Sequence, residues 1–177
     1  MRPPPPAQLL MIDANVLIDY ALADPSILAL VARHIGPLHV PRPILAEVEQ
    51  LDDAACVRLG LTILEPELDD LTAAASRRGA LSFEDHLCLL AAQRGGFTCV
   101  TNDKTLRREC EGAGVSILWG LQLMVQLVER RELSAEAALS TATAIHRENP
   151  RHITAEILAR FTKILQPLTH RPRGSHP

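Results

Sequence analysis

Five short stretches of the chain, Leu9–Ile12, Leu38–Val40, Leu61–Leu64, Phe97–Thr101 and Val115–Leu118, are apolar without regular alternation. A strand with one wet face alternates apolar and polar residues, whereas a continuous apolar run suits a strand covered on both faces. Between these runs the apolar positions recur at helical spacing, over Val16–Ala23, Ile27–His34, Ile44–Ala54, Leu68–Arg77, Phe83–Arg94 and Thr105–Glu111. Strands that alternate with helices predict an α/β fold with a central, mostly parallel sheet of about five strands. After Leu118 the alternation stops. Three helices are expected there, at Trp119–Arg131, from near Ser134, and at Arg151–Gln166. Thr154 reads as the N-cap of the last, with Ile153 and Leu158 placed for a hydrophobic staple. The pattern divides the chain into a sheet domain over 8–128 and a helical extension over 132–166 packed on it. Residues 1–7 and 167–177 are expected to be disordered tails.

Two of the strand candidates end by presenting an aspartate. Leu9–Ile12 stops at Asp13, and Phe97–Thr101 runs into Asn102 and Asp103. Each aspartate has a plain explanation as a helix N-cap, whose carboxylate takes an orphan N–H of the first turn. In an open parallel sheet, however, ligands bind outside the carboxyl ends of the strands, where both residues would sit. Two further acids have context. On a helix over Ile44–Ala54, Glu47 lies at the margin of the Ile44, Val48 and Leu51 stripe, better placed than Glu49 to face a crevice. Asp85 follows Ser82 by three residues, as in a capping box. His86, near the Phe83, Leu87 and Leu90 stripe, reads as a half-buried structural histidine. Asp19, Asp69 and Asp70 read as solvated helix faces, and Glu84 as a residue that favours a helix N-terminus.

Composition narrows the chemistry. The 177 residues are 47% hydrophobic, enough for a sizeable core. Aromatics make up only 3%, which argues against a base-stacking platform of the kind single-strand binders use. With a formal net charge of −3, any nucleic-acid contact must come from a local patch on an acidic background. The four cysteines, Cys56, Cys88, Cys99 and Cys110, show no C-x-x-C spacing, as expected of a reduced cytoplasmic protein without a cysteine-based zinc site. The start, MRPPPPAQ, lacks the apolar core of a signal peptide, and no apolar stretch approaches the ~20 residues of a membrane span.

Four motifs in order resemble the PIN-domain nucleases, and among them the VapC-like toxin ribonucleases of type II toxin–antitoxin pairs. They are D-A-N-x-L-I-D at Asp13–Asp19, the proline and glutamate element of Pro43 and Glu47, L-S-x-x-D at Leu81–Asp85, and T-N-D-K-x-L at Thr101–Leu106. The match spans about residues 8–128. It implies a three-layer α/β/α PIN-like fold with the first strand and the T-N-D strand as neighbours, extended here by the C-terminal helices. It also implies that Asp13, Glu47, Asp85 and Asp103 converge on Mg²⁺ or Mn²⁺, with Asp85 either a ligand or the group that orients the attacking water. Asn15, Thr101 and Asn102 would be polar supports. Lys104, Arg107 and Arg108 are candidates for phosphate contacts, against the competing reading of a solvated helix face. The substrate implied is RNA, the partner an antitoxin protein, and homodimerisation is extended from the family.

Other classes fit less well. Haloacid dehalogenase-type phosphoryl transfer needs D-x-D after the first strand, where this chain has D-A-N at Asp13–Asn15. A phospho-receiver domain needs an acidic pair and a late strand-end lysine, neither of which is evident. The weightier alternative is a catalytically silent PIN-like module that binds RNA or docks a partner. Four intact acids argue against it, because clustered carboxylates repel one another and a silent module has no use for them.

Overall fold

The computed structural model describes residues 8–76 and 78–169; the expected tails fall outside this range except for 167–169. Strands β1 (Leu10–Ile12), β2 (Leu38–Pro41), β3 (Leu61–Leu64), β4 (Thr98–Val100) and β5 (Ile117–Leu118) form one sheet in the order β3-β2-β1-β4-β5. All four pairings are parallel. Leu10, Met11 and Ile12 are fully buried, as are Cys99 and Val100 beside them, in keeping with strands covered on both faces.

The chain leaves β1 to build β2 and β3 on one side, then crosses back to lay β4 and β5 on the other. The reversal between β1 and β4 opens a crevice at their carboxyl ends. Helices α1 (Ala14–Ala23), α2 (Ser26–His34) and α8 (Gly120–Glu129) belong to one helical layer. Helices α5 (Leu68–Ser76), α6 (Phe83–Gly95) and α7 (Lys104–Gly112) belong to the other. The short α3 (Arg42–Leu45) follows β2, and α4 (Asp53–Leu59) packs on α2 and β3.

One expected helix is broken. Instead of a continuous run over Ile44–Ala54, α3 ends at Leu45 and residues 46–52 form turns. The backbone N–H groups of Glu47 and Val48 donate three residues back, to Ile44 and Leu45. That tight winding buries Val48. The Asp52 carboxylate then caps a new helix through Ala55 N at 2.7 Å. Glu47 therefore stands on an exposed turn and not on a helix margin.

Helices α9 (Ala135–Glu148) and α10 (Ala155–Thr169) follow, with Ser134 and Thr154 capping them through Ala137 N and Ile157 N. Helix α10 runs three residues past its expected end at Gln166. Helix α9 lies on α1, and α10 on α8 and α9. Ala138, Ala142, Ile145, Ile153, Phe161 and Leu165 join the same buried cluster as the sheet. The C-terminal helices thus complete the core. Among the described residues no single helix is long and apolar enough to cross a membrane. The pair α1 and α2 approaches that only across a 119° bend.

Because Phe161 is buried within the shared core, Phe161→Ala should lower unfolding stability by about 3–5 kcal/mol in urea titrations. Deleting everything after Arg131 should abolish cooperative unfolding altogether. An extension that merely leaned on the domain would leave the midpoint of the remainder nearly unchanged.

Candidate functional site

The crevice is assembled from strand ends that cap the next helix. Asp13 N donates to Val100 O at 3.1 Å, which fastens the end of β1 to that of β4. The Asp13 side chain then takes Val16 N at 2.8 Å and caps α1. Its second oxygen accepts the hydroxyl of Thr101, one residue beyond β4. Thr101 Oγ1 in turn accepts Asp103 N at 3.0 Å, and Asp103 caps α7 through Leu106 N at 2.7 Å. The capping role and the crevice role therefore hold for the same two aspartates: each has a capping oxygen while its carboxylate stays at the switch point.

Asn102 lies between them and is 6% exposed. Its Oδ1 accepts Gly120 N at 3.0 Å, which docks the start of α8 on the end of β4. Gly120 eases this approach: a Cβ would meet Asn102 Nδ2 at 3.0 Å and Val16 Cγ1 at 3.1 Å, so those side chains would have to give by a few tenths of an ångström. Tyr20 closes the junction by donating its hydroxyl to Gly120 O at 2.7 Å. Asn15 is half-buried in the first turn of α1.

The remaining acids approach from other elements. Asp85 lies in the first turn of α6, whose N-cap Ser82 accepts Asp85 N at 3.0 Å. Asp85 is the electrostatic link of the group. It is raised above the ordinary carboxylate range by partial burial and then by the charge of Asp103, with Ser82 opposing the rise. Asp13 and Glu47 both feel Asp85 in turn. Glu47 is raised by partial burial first and by Glu84 and Asp85 after it. Asp13 is 2% exposed, and burial pushes its carboxyl up to about 7 against the lowering effect of Thr101 and Val16. The four acids thus share one negative field. Among the described residues, though, no three His, Cys, Asp or Glu side chains stand close enough to hold a metal ion as placed.

The cationic candidates differ from one another. Lys104 and Arg108 are exposed, and Arg108 pairs with Glu109 at 3.2 Å. Arg107 is half-buried and lies over the Trp119 ring at 3.6 Å. Trp119, expected only as the start of a helix, is its N-cap, and its position directly after β5 was the available signal of a place near the site.

Two aspartates assigned to solvated faces are buried. Asp70 is 6% exposed and forms a two-pronged pair with Arg94, at 2.7 and 2.9 Å, that ties α5 to α6. Asp19, also 6% exposed, accepts Asn149 Nδ2 at 2.9 Å, so the α9–α10 junction reaches α1 beside the crevice. Burial raises Asp19 to about 6, while Asn149, His152 and Asn102 draw it down. Asn102 acts on it without reaching hydrogen-bond geometry, since Asp19 Oδ2 is buried with no partner. Asp19 also raises Asp13. His86 is more deeply buried than expected, at 5% exposed.

No family model matches the chain, and neither does any curated protein. Among solved structures it is similar to a PilT N-terminus domain protein from the hyperthermophilic archaeon Sulfolobus solfataricus P2. The two share 11% identity, with 66% of this chain and 91% of that one covered at a TM-score of 0.49. A likeness at that level transfers no role to any residue.

Asp13 sets a pH dependence. Its folded value, about 7, lies above the unfolded value of 3.8, so the native state holds a proton that the unfolded chain releases. This group's contribution is greatest at low pH and is lost as pH rises from about 4 to about 7. Chemical-denaturation midpoints should show that fall, and Asp13→Asn should flatten it and stabilise the protein at pH 8. An unchanged slope in the variant would mean that Asp13 is ionised in the native state throughout.

Proposed function

We propose that the protein is a metal-dependent endoribonuclease of PIN type, hydrolysing RNA phosphodiester bonds at the crevice between the ends of β1 and β4. The observation that carries this reading is a shared negative field: Asp13, Glu47 and Asp85 are each raised by burial and by neighbouring acids, and the charge of Asp103 acts on Asp85. Desolvated carboxylates that repel one another favour a divalent cation, and hard cations take oxygen donors.

The donor set fits Mg²⁺ or Mn²⁺ in its chemistry: four carboxylates, with the Thr101 hydroxyl holding Asp13 in place. Asp13, Asp103 and Glu47 would hold the ion directly or through water. Asp85 would either join them or orient the attacking water. When bound, the cation supplies charge neutralisation on the phosphate and activation of water for in-line displacement. The Asp13 backbone and carboxylate are fixed at three points, to Val100, Val16 and Thr101, so this donor is pre-positioned. Glu47, on its exposed turn, would have to swing inward to join the other acids. Lys104, at the start of α7 beside Asp103, is placed to attract phosphate.

The toxin role within a toxin–antitoxin pair, an antitoxin partner and homodimerisation extend this reading, supported by the VapC-like order of the four motifs. A cytoplasmic location accords with the reduced, buried cysteines.

Purified protein and its Asp13→Asn variant, incubated with a mixed RNA pool in Mn²⁺, Mg²⁺ or EDTA, should differ. The parent should cut only with metal, leaving 5′-phosphate ends, and the variant should be inactive while still folded. No new ends under any condition would displace the nuclease in favour of a binding module. Independently of RNA, millimolar Mn²⁺ should raise the parent's Tm, and Asp103→Asn should reduce that shift.

A further inference from the structure

A groove opens beside the acidic crevice, between α8 and α10. It encloses about 250 Å³ and is lined by Asn102, Trp119, Gln122, Val125, Ile157 and Arg160, among others. We infer that this groove is a nucleobase subsite, which holds a base of the RNA strand next to the scissile phosphate. The inference rests on the ribonuclease reading for the identity of the strand.

Position comes first. Asn102, which lies between Thr101 and Asp103, forms part of the groove wall, so an occupant there is a neighbour of the carboxylates. Size comes next. Pockets for drug-sized ligands span roughly 300–1,000 Å³, so this one suits a single flat ring system better than a helix or a large cofactor. Its lining joins aliphatic walls to an indole and to amides that can pair with a base edge. Gln122 Oε1 accepts Trp119 N at 2.8 Å, which leaves its NH₂ group to donate. Among the described residues that line it there is no acid, and Arg160 adds a positive charge. In a protein of net charge −3 without a stacking platform, one indole, one cation and two amides against an acidic site suit a single base.

A second cavity gives the direction of the strand. Lys104, Thr105, Arg107 and Arg108, with the acid Glu111, line a cleft of about 460 Å³ on α7. Arg107 joins the two spaces, because it borders this cleft and covers the Trp119 ring. Its Nε is buried without a hydrogen-bond partner, so a phosphate in the cleft would meet the guanidinium by its charge. The backbone would follow α7 past Asp103 while one base turns into the groove. This gives α10 a role in substrate binding, since Ile157 and Arg160 both come from it.

The protein carries a built-in reporter, because Trp119 is its only tryptophan. In EDTA, full-length protein would be titrated with a six-nucleotide 2′-O-methyl RNA of mixed sequence bearing a fluorescent end label. An abasic phosphodiester of the same length serves as control. Anisotropy reads affinity, and Trp119 emission reads place. Saturable quenching by the base-bearing strand is expected, with little from the abasic one. Ile157→Phe, which fills the groove, should weaken binding about tenfold while circular dichroism shows an intact fold. Gln122→Ala should weaken it by a smaller factor. No binding, equal binding of the abasic strand, or binding with neither quenching nor sensitivity to Ile157→Phe would each overturn the subsite. Quenching in a protein that never cuts RNA would leave the groove standing and sink the nuclease; cutting without groove binding would do the reverse.

Discussion

The architecture depends on a carboxylate that is kept out of water. Asp13 ends β1, and its neighbours are chosen by the need to satisfy it: an N–H from the first turn of α1 and a hydroxyl from the residue after β4. A buried acid without such partners would cost several kcal/mol. The two contacts fix where α1 begins and which strand lies beside β1. Thr101 passes the constraint on, because the same oxygen that donates to Asp13 accepts the Asp103 amide and so sets the start of α7. Asn102, between them, sets the start of α8. Three helices are thus aimed from one tripeptide. The residual instability of the Asp13 charge is what a functional site would need, since a bound cation would relieve it.

Around that centre the C-terminal helices do two things at once. Their apolar faces complete the core over α1 and α8, and their junction supplies Asn149 to the Asp19 carboxylate. A stretch that breaks the strand–helix alternation is therefore tied both to stability and to the surroundings of the acidic crevice.

Much of the fold was legible because strands buried on both faces leave an unmistakable record. The runs around Met11 and Val100, in the middle of the sheet, contain few polar residues since neither face meets water, whereas the edge strands expose Thr62 and Ser116. The pairing of β1 with β4 was legible only through the resemblance of the motifs. The break after Leu45 was not, because Val48 and Leu51 keep a helical spacing even though the backbone there turns more tightly. Asp19 and Asp70 were misread for a common reason. Periodicity identifies the side of a helix that meets the sheet and treats the opposite side as wet. Helix α9 later covers the outer side of α1, and α6 covers Asp70 through Arg94. Burial imposed by an element far along the chain leaves no local trace. The importance of Trp119 at the site escaped notice for a related reason: it comes from Arg107, twelve residues earlier on another helix.

The separation of these partners along the chain has a consequence for biosynthesis. Asp13 meets Thr101 across 88 positions, and Asp19 meets Asn149 across 130. Contacts of such range form late, after the loop entropy between them has been overcome. On a ribosome that releases the amino terminus first, β1 waits for β4, and the outer face of α1 stays uncovered until the last two helices emerge. A truncated nascent chain therefore lacks an ordered crevice. Whatever chemistry the acids perform has to wait for the last two helices, so the covering of α1 and the assembly of the crevice are delayed together.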